Sequence, residues 1–141
     1  AHWHRLADAV ARSPIPIIAN GELWSASDVQ TCGGISGCDA FMIARGALCR
    51  PDLGLAVRAH LREEAHTALA WTDVQPMLSE FMSANAATYE PKYAVNPVKQ
   101  WLVYLKCYYP QAGALFARVK RINDPRLMAQ ALVEAPLADA A

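Results

Sequence analysis

Two short apolar segments, Ile15-Pro16-Ile17-Ile18-Ala19 and Asp39-Ala40-Phe41-Met42-Ile43, each run into a turn: Asn20-Gly21-Glu22 after the first, Ala44-Arg45-Gly46-Ala47 after the second. Nearly unbroken apolar runs of this length are typical of parallel strands covered on both faces. The interval from Asn20 to about Cys38 is long enough for a right-handed β-α-β crossover. Such a pair cannot close a sheet, because both of its outer edges carry unpaired backbone groups. Either the missing strands lie upstream or the pair is completed by another chain; the first reading is preferred, which makes these the last two strands of a larger barrel and the chain a piece of an enzyme.

The flanking pattern agrees. Trp3, Leu6, Ala9 and Val10 share one face of a helix over residues 3–13, which Pro14 closes. Ser25 or Ser27 caps a crossover helix reaching about Ile35, and Gly33, Gly34 and Gly37 are expected to break it. A further helix spans roughly Leu53 to Leu61. From Glu63 to Thr72 the chain reads as a linker, after which every segment has helical spacing. Asp73 is expected to cap Val74 to Tyr89, with Met77, Leu78, Phe81 and Met82 on the apolar stripe. A loop with two prolines covers Glu90 to Pro97. Helices follow over Val98 to Tyr109 and Ala112 to Ile122, and Asn123-Asp124-Pro125 restarts a last short one. The expected domains are thus 1–62, an α/β segment, and 73–141, an all-α bundle, joined by 63–72.

With 141 residues, 54% of them hydrophobic and 18% charged, the chain has the composition of a packed protein and not of a disordered one. Thirteen basic and thirteen acidic residues cancel, so net charge by itself selects no partner. No run approaches the roughly 20 apolar residues of a membrane-spanning helix, and the N-terminus lacks the pattern of a signal peptide. The expectation is a cytoplasmic protein. Cys32, Cys38, Cys49 and Cys107 have no metal-ligand spacing and are expected to be reduced, buried fillers, so no metal site is expected. His2 and His4 are expected at the surface.

In α/β barrels, loops after the last strands commonly grip a phosphate with backbone N–H groups and a helix N-terminus. Gly21 and Gly46 let the main chain approach an anion, Arg45 supplies a charge-assisted contact, and Asn20 and Glu22 orient the loop. Each turn alone is ordinary loop chemistry. Two in tandem at strand ends favour a phosphate or nucleotide ligand.

IPIIANGELW followed by SGCDAFMIARGAL resembles the closing strands of bacterial tRNA-dihydrouridine synthases, and within them the DusC subfamily. The likeness covers nearly the whole chain; in the second half it is clearest at Val98-Lys99-Gln100-Trp101-Leu102-x-Tyr104-Leu105. It implies the C-terminal part of a TIM (β/α)8 barrel followed by a helical tRNA-binding domain, with FMN as cofactor and NADPH as its reductant. It also implies a monomeric full-length enzyme. By that resemblance Asn20, Gly21, Glu22, Ala44, Arg45 and Gly46 lie at the FMN phosphate. Ala44 departs from the family's usual glycine, and a backbone N–H contact survives there only if φ is negative. The family's general-acid cysteine sits in an N-x-x-G-C-P-type motif, which does not occur here. No catalytic residue is expected in these 141 residues, Cys32 and Cys38 included.

Between Lys92 and Arg126, seven basic residues face the single acid Asp124, a local net charge of +6 in a neutral chain. Aromatic residues are interleaved with them, and the combination suits RNA: phosphates are drawn by the charge and exposed bases stack on rings. Lys99, Gln100, Lys106, Lys120 and Arg121 are the candidate tRNA contacts. Trp101, Leu105 and Tyr108 fall at core spacing and are expected inside. Pro97 stands where the family tends to have an arginine. Two other readings remain at this point: a different phosphate- or flavin-binding barrel with an unrelated helical tail, and a stand-alone helical RNA-binding module.

Overall fold

Among residues 2–134, which the computed structural model describes, the first strand starts later than its sequence suggests. β1 is Ile18–Asn20 and β2 is Ala40–Met42, paired in parallel with Ala19 opposite Phe41. Pro14 and Pro16 have no N–H to give a ladder, which keeps Ile15 and Ile17 out of it. Burial on both faces is not what the described residues provide. Ala19 is fully buried, yet Ile15, Ile18 and Met42 are 68%, 59% and 52% exposed. Among the described residues nothing covers these apolar side chains.

The described residues fall into two compact units that part between Ala68 and Leu69. In the first, α1 (His4–Arg12) lays Trp3, Leu6 and Val10 against a core of Ala19, Leu23, Val29, Cys32 and Cys38. α2 (Ala26–Ser36) forms the crossover. Ser25 caps it reciprocally: Ser25 Oγ accepts from the Asp28 N–H at 3.1 Å, and Asp28 Oδ2 accepts from the Ser25 N–H at 2.8 Å. Gly33 and Gly34 lie inside this helix and do not break it. A Cβ at Gly33 would stand 3.2 Å from the Phe41 ring, so a small residue is required where α2 crosses β2. The terminator is Gly37, left-handed at φ +72°. The Ala44-Arg45-Gly46-Ala47 turn is in fact the start of a helix, α3 (Ala44–Cys49), and α4 (Leu53–Leu61) follows.

One buried carboxylate ties down the end of this unit. Asp52, 2% exposed, receives both Nε and Nη2 of Arg50 at 3.0 and 2.9 Å, and His66 Nε2 at 2.6 Å. His66 lies in the irregular stretch after α4, which Asp52 thereby holds to the unit. Burial alone would raise the Asp52 carboxyl. The hydrogen bonds from Arg50 and His66 and the guanidinium charge outweigh it and hold the group below its ordinary value.

The second unit is helical throughout its described residues. α5 (Trp71–Thr88) begins before Asp73, which sits in its first turn and accepts from the Ala70 N–H at 2.9 Å. Two prolines do not make residues 90–97 a loop: α6 (Pro91–Ala94) and α7 (Asn96–Leu105) each carry one in the first turn, Pro91 and Pro97, at positions where a missing N–H costs nothing. α8 (Pro110–Val119) and α9 (Pro125–Val133) do the same, the latter capped by Asp124 onto the N–H groups of Arg126 and Leu127. Trp71, Val74, Leu78, Met82, Leu102, Leu105, Leu115 and Leu132 form its core, with Trp101 packed edge-on against Phe81 at 5.3 Å. Tyr108, expected inside, is 46% exposed; Tyr109 takes the core place and donates to the Leu69 carbonyl at 3.1 Å. α7 stops at Leu105, so Tyr108 is no longer on its face. The expectation for 73–141 extends past the described residues after Glu134. No helix among them is long and apolar enough to cross a membrane.

Replacing Asp52 with Asn should destabilise the first unit by about 3 kcal/mol, the scale of breaking a nearly buried ion pair by removing one partner. Because the folded-state pKa of Asp52 is depressed, its contribution is complete above the unfolded carboxylate value of about 3.9 and fades as pH falls below it. Urea midpoints should therefore differ most between wild type and Asp52→Asn at neutral pH and converge in acid; equal midpoints at pH 7 would remove the anchoring role.

Candidate functional site

Parallel pairing ends β1 and β2 side by side, so the segments that follow them share one cleft. A small hollow of about 30 Å³ is lined by Asn20, Gly21, Glu22, Leu23 and Trp24 from the first strand end and by residues from Met42 to Gly46 from the second. All six residues expected at a cofactor phosphate are brought together. The volume accommodates about one water, so these walls suit one anionic corner of a ligand and not a whole flavin.

Arg45 lies 3.7 Å from Glu22 through Nη2, with both side chains more than half exposed. Its guanidinium sits 5.2 Å from the Trp24 ring centroid, and Trp24 Nε1 donates to Glu22 Oε2 at 2.8 Å. Glu22 thus orients Arg45 and Trp24 together. Asn20 points its amide at the Met42 sulfur, 3.2 Å away across the strand pair. Trp3, from α1, donates its indole N–H to the Gly21 carbonyl at 2.9 Å. The sequence places Trp3 on the apolar face of the first helix and Trp24 at the end of the IPIIANGELW segment, but marks neither as a site residue; Trp24 lies two residues from Glu22, whereas the distance of Trp3 along the chain gives no signal.

Backbone strain gathers here. Gly21 has φ +106°, Glu22 +55° and Ala44 +26°. Negative φ, the condition for an alanine at position 44 to keep its N–H contact, is not met. Gly46 also differs from its expected role as an anion approach point. It is buried in α3, and a Cβ there would collide with the Leu23 carbonyl and stand 2.9 Å from Leu53 Cδ2. Its smallness lets the second strand end lie against the first.

Cys32 and Cys38 are buried, as is Cys49; Cys107, expected to be buried, is exposed. Burial raises the Cys32 thiol and the neighbouring Cys38 adds to this, while the Ser36 hydrogen bond opposes it. A thiol so placed is a poor proton donor or nucleophile at neutral pH. His2 and His4 are exposed, and no cluster of metal-ligating residues occurs among the described residues.

In the helical unit, Lys99 Nζ donates to Asn123 Oδ1 at 3.0 Å, which sets it beside the α8–α9 turn carrying Lys120 and Arg121. Lys106 caps α7, packed beside Gly113 near the start of α8. That places it roughly 10 Å along α7 from Lys99, at 1.5 Å per residue. Gln100, Lys106, Lys120 and Arg121 are all exposed. Lys92 is the outlier, neutralised by Glu90 at 3.2 Å and lying over Tyr93.

The dihydrouridine synthase (Dus) family model matches residues 1–136. The chain belongs to the dihydrouridine synthase family. A tRNA-dihydrouridine(16) synthase of Pseudomonas putida is 37% identical over 141 residues, covering 99% of this chain and 44% of its own length. The enzyme of that name from Escherichia coli (strain K12) is 36% identical over 130 residues, 92% of this chain and 40% of its own. The one from Ralstonia nicotianae is 37% identical over 127 residues, 88% and 38%. The chain thus spans less than half the length of these curated relatives. A mostly helical chain with one small sheet is compatible with part of a dihydrouridine synthase domain.

Two small substitutions in α3 should act in opposite directions. Ala44→Gly relieves a left-handed alanine and should stabilise the chain by about 1 kcal/mol. Gly46→Ala forces a methyl group into the Leu23 carbonyl and should cost about 2 kcal/mol or more, within the range of overpacking. Thermal melts of both variants check this; shifts of the same sign would contradict the backbone reading.

Proposed function

We propose that this chain is the C-terminal part of an FMN-dependent tRNA-dihydrouridine synthase, comprising the end of the TIM barrel (1–62), a linker (63–72) and a helical tRNA-binding domain (73–141). The parent, a cytoplasmic monomer, would reduce a uridine in tRNA to 5,6-dihydrouridine at the expense of NADPH. Position 16 is the target that the names of its relatives suggest. What supports this most is the convergence of both strand ends on one cleft in a chain that the family matches over residues 1–136.

FMN, when bound, supplies the hydride. The residues present fit its phosphate end: Arg45 offers charge, Glu22 and Trp24 hold the guanidinium in place, and Asn20 and Gly21 shape the facing loop. Ala44 is the poorest fit of the six, and Gly46 serves by letting the two loops meet. The general acid is proposed to be a cysteine outside this chain, since both candidates here with buried thiols lie in the packed core around α2. Lys99, Gln100, Lys106, Lys120 and Arg121 would bind the tRNA backbone. Among the described residues Lys106, Lys120 and Arg121 form no ion pair, so their charge is available to phosphates.

Fluorescence anisotropy of labelled tRNA against this chain tests the docking role. Binding should weaken steeply with salt, each phosphate contact adding about −0.9 to −0.7 to the log–log slope. The double variant Lys99→Glu/Arg121→Glu should lower both affinity and slope. No binding by a folded chain would leave the basic face merely solvated. The isolated chain, which holds only the phosphate corner, should purify without flavin colour; a yellow, active preparation would overturn the proposed division of labour.

A further inference from the structure

We infer that Trp3 is a positioning residue for the phosphate loop, setting which way the Gly21–Glu22 peptide faces; this rests on the phosphate-binding reading of the cleft. Trp3 stands at the start of α1, 18 residues from Gly21, and its half-buried ring packs on the core that contains Ala19 and Leu23. The packing fixes the indole, so its N–H marks a fixed point in space for the Gly21 carbonyl, 2.9 Å away.

The peptide it holds is the one most able to turn over. Gly21 and Glu22 both have positive φ, and a Cβ at Gly21 would meet nothing within 4 Å, so no steric wall restrains the loop on that side. Rotation of the peptide plane would exchange the positions of the carbonyl and the Glu22 N–H. The two point in opposite directions across a trans peptide. Trp3 does not line the cleft, whereas Gly21 and Glu22 do. Holding the carbonyl toward Trp3 turns it away from the cleft and turns the Glu22 N–H to the cleft side. A carbonyl in that position repels an anion, whereas an N–H donates to it. Trp3 therefore decides the sign of the dipole that a phosphate meets, without touching the phosphate.

The test is an inorganic phosphate titration of the ¹⁵N-labelled 141-residue chain, followed by amide shifts, with chloride at matched ionic strength as control. Two variants are compared with wild type: Trp3→Phe, and Trp3 replaced by benzothienylalanine, which keeps the shape of the indole and has sulfur in place of the N–H. In wild type the Gly21, Glu22 and Arg45 amides should shift with phosphate beyond the chloride control. In both variants the dissociation constant should rise about five- to tenfold, the effect of one lost hydrogen bond, while shifts elsewhere in the first unit stay as in wild type. Unchanged affinity in the benzothienylalanine chain would overturn the role of Trp3 and leave the phosphate site standing. Loss of dispersion in both variants would make Trp3 a structural residue only, and the inference fails. No phosphate-dependent shift at Gly21 and Glu22 in wild type would sink the site reading and this inference with it.

Discussion

Everything at the candidate site depends on one close approach: the α3 backbone at Gly46 against the carbonyl of Leu23. Parallel pairing of Ile18–Asn20 with Ala40–Met42 aligns the strand ends, but three residues each make a weak ladder. The contact beyond the strands brings the Asn20–Trp24 loop to the first turn of α3. Only a glycine permits it. With that contact in place, Arg45 reaches Glu22 and stacks on Trp24. Without it the two loops would part, and the six residues would be two unrelated turns.

The order of elements was legible because their signals are local. Ser25 ahead of the crossover helix and Asp124 ahead of Pro125 are caps whose chemistry acts within a turn; Pro91 and Pro97, which read as loop residues, instead fall in the first turns of α6 and α7. Gly37 is legible as a stop; Gly33 and Gly34 also read as stops but lie within α2, and at Gly33 the reason is tertiary, the passage of α2 over Phe41. The ARGA segment was read as a loop for a similar reason. Its glycine and arginine resemble turn chemistry, whereas its helical geometry and the burial of Gly46 follow from packing against Leu23 and Leu53. The motif names the candidate residues that line the cleft, but not the partners that orient them. Trp3 and the Asp52–His66 bond are contacts between residues 18 and 14 apart, and no spacing rule foreshadows those.

Strain follows the same geography. Of the three non-glycine residues with positive φ, Glu22 and Ala44 lie on opposite walls of the cleft. Unfavourable backbone of this kind persists only where the surroundings over-determine it. For Glu22 the surroundings are clear: Trp3 holds the preceding carbonyl, and Trp24 and Arg45 hold the side chain. Ala44 has no comparable set of restraints on its own side chain. It is held by its neighbours, with Met42 in the ladder before it and Gly46 against Leu23 after it.

The two units also differ in how their charges are used, which neutral composition conceals. In the first, Arg45 is matched by Glu22 and Arg50 by Asp52, so these two cations are each directed by a local carboxylate. A paired arginine exerts little field at a distance and favours a ligand only at contact, where geometry discriminates. In the second, Lys106, Lys120 and Arg121 stand exposed without a carboxylate partner among the described residues, and their field extends about a Debye length, roughly 8 Å at physiological salt. An arrangement of that kind would attract a polyanion before any specific contact formed, and would respond to salt more strongly than the paired arginines of the cleft. A small ligand held by oriented donors and a large one gathered by unpaired charge make opposite demands on charge.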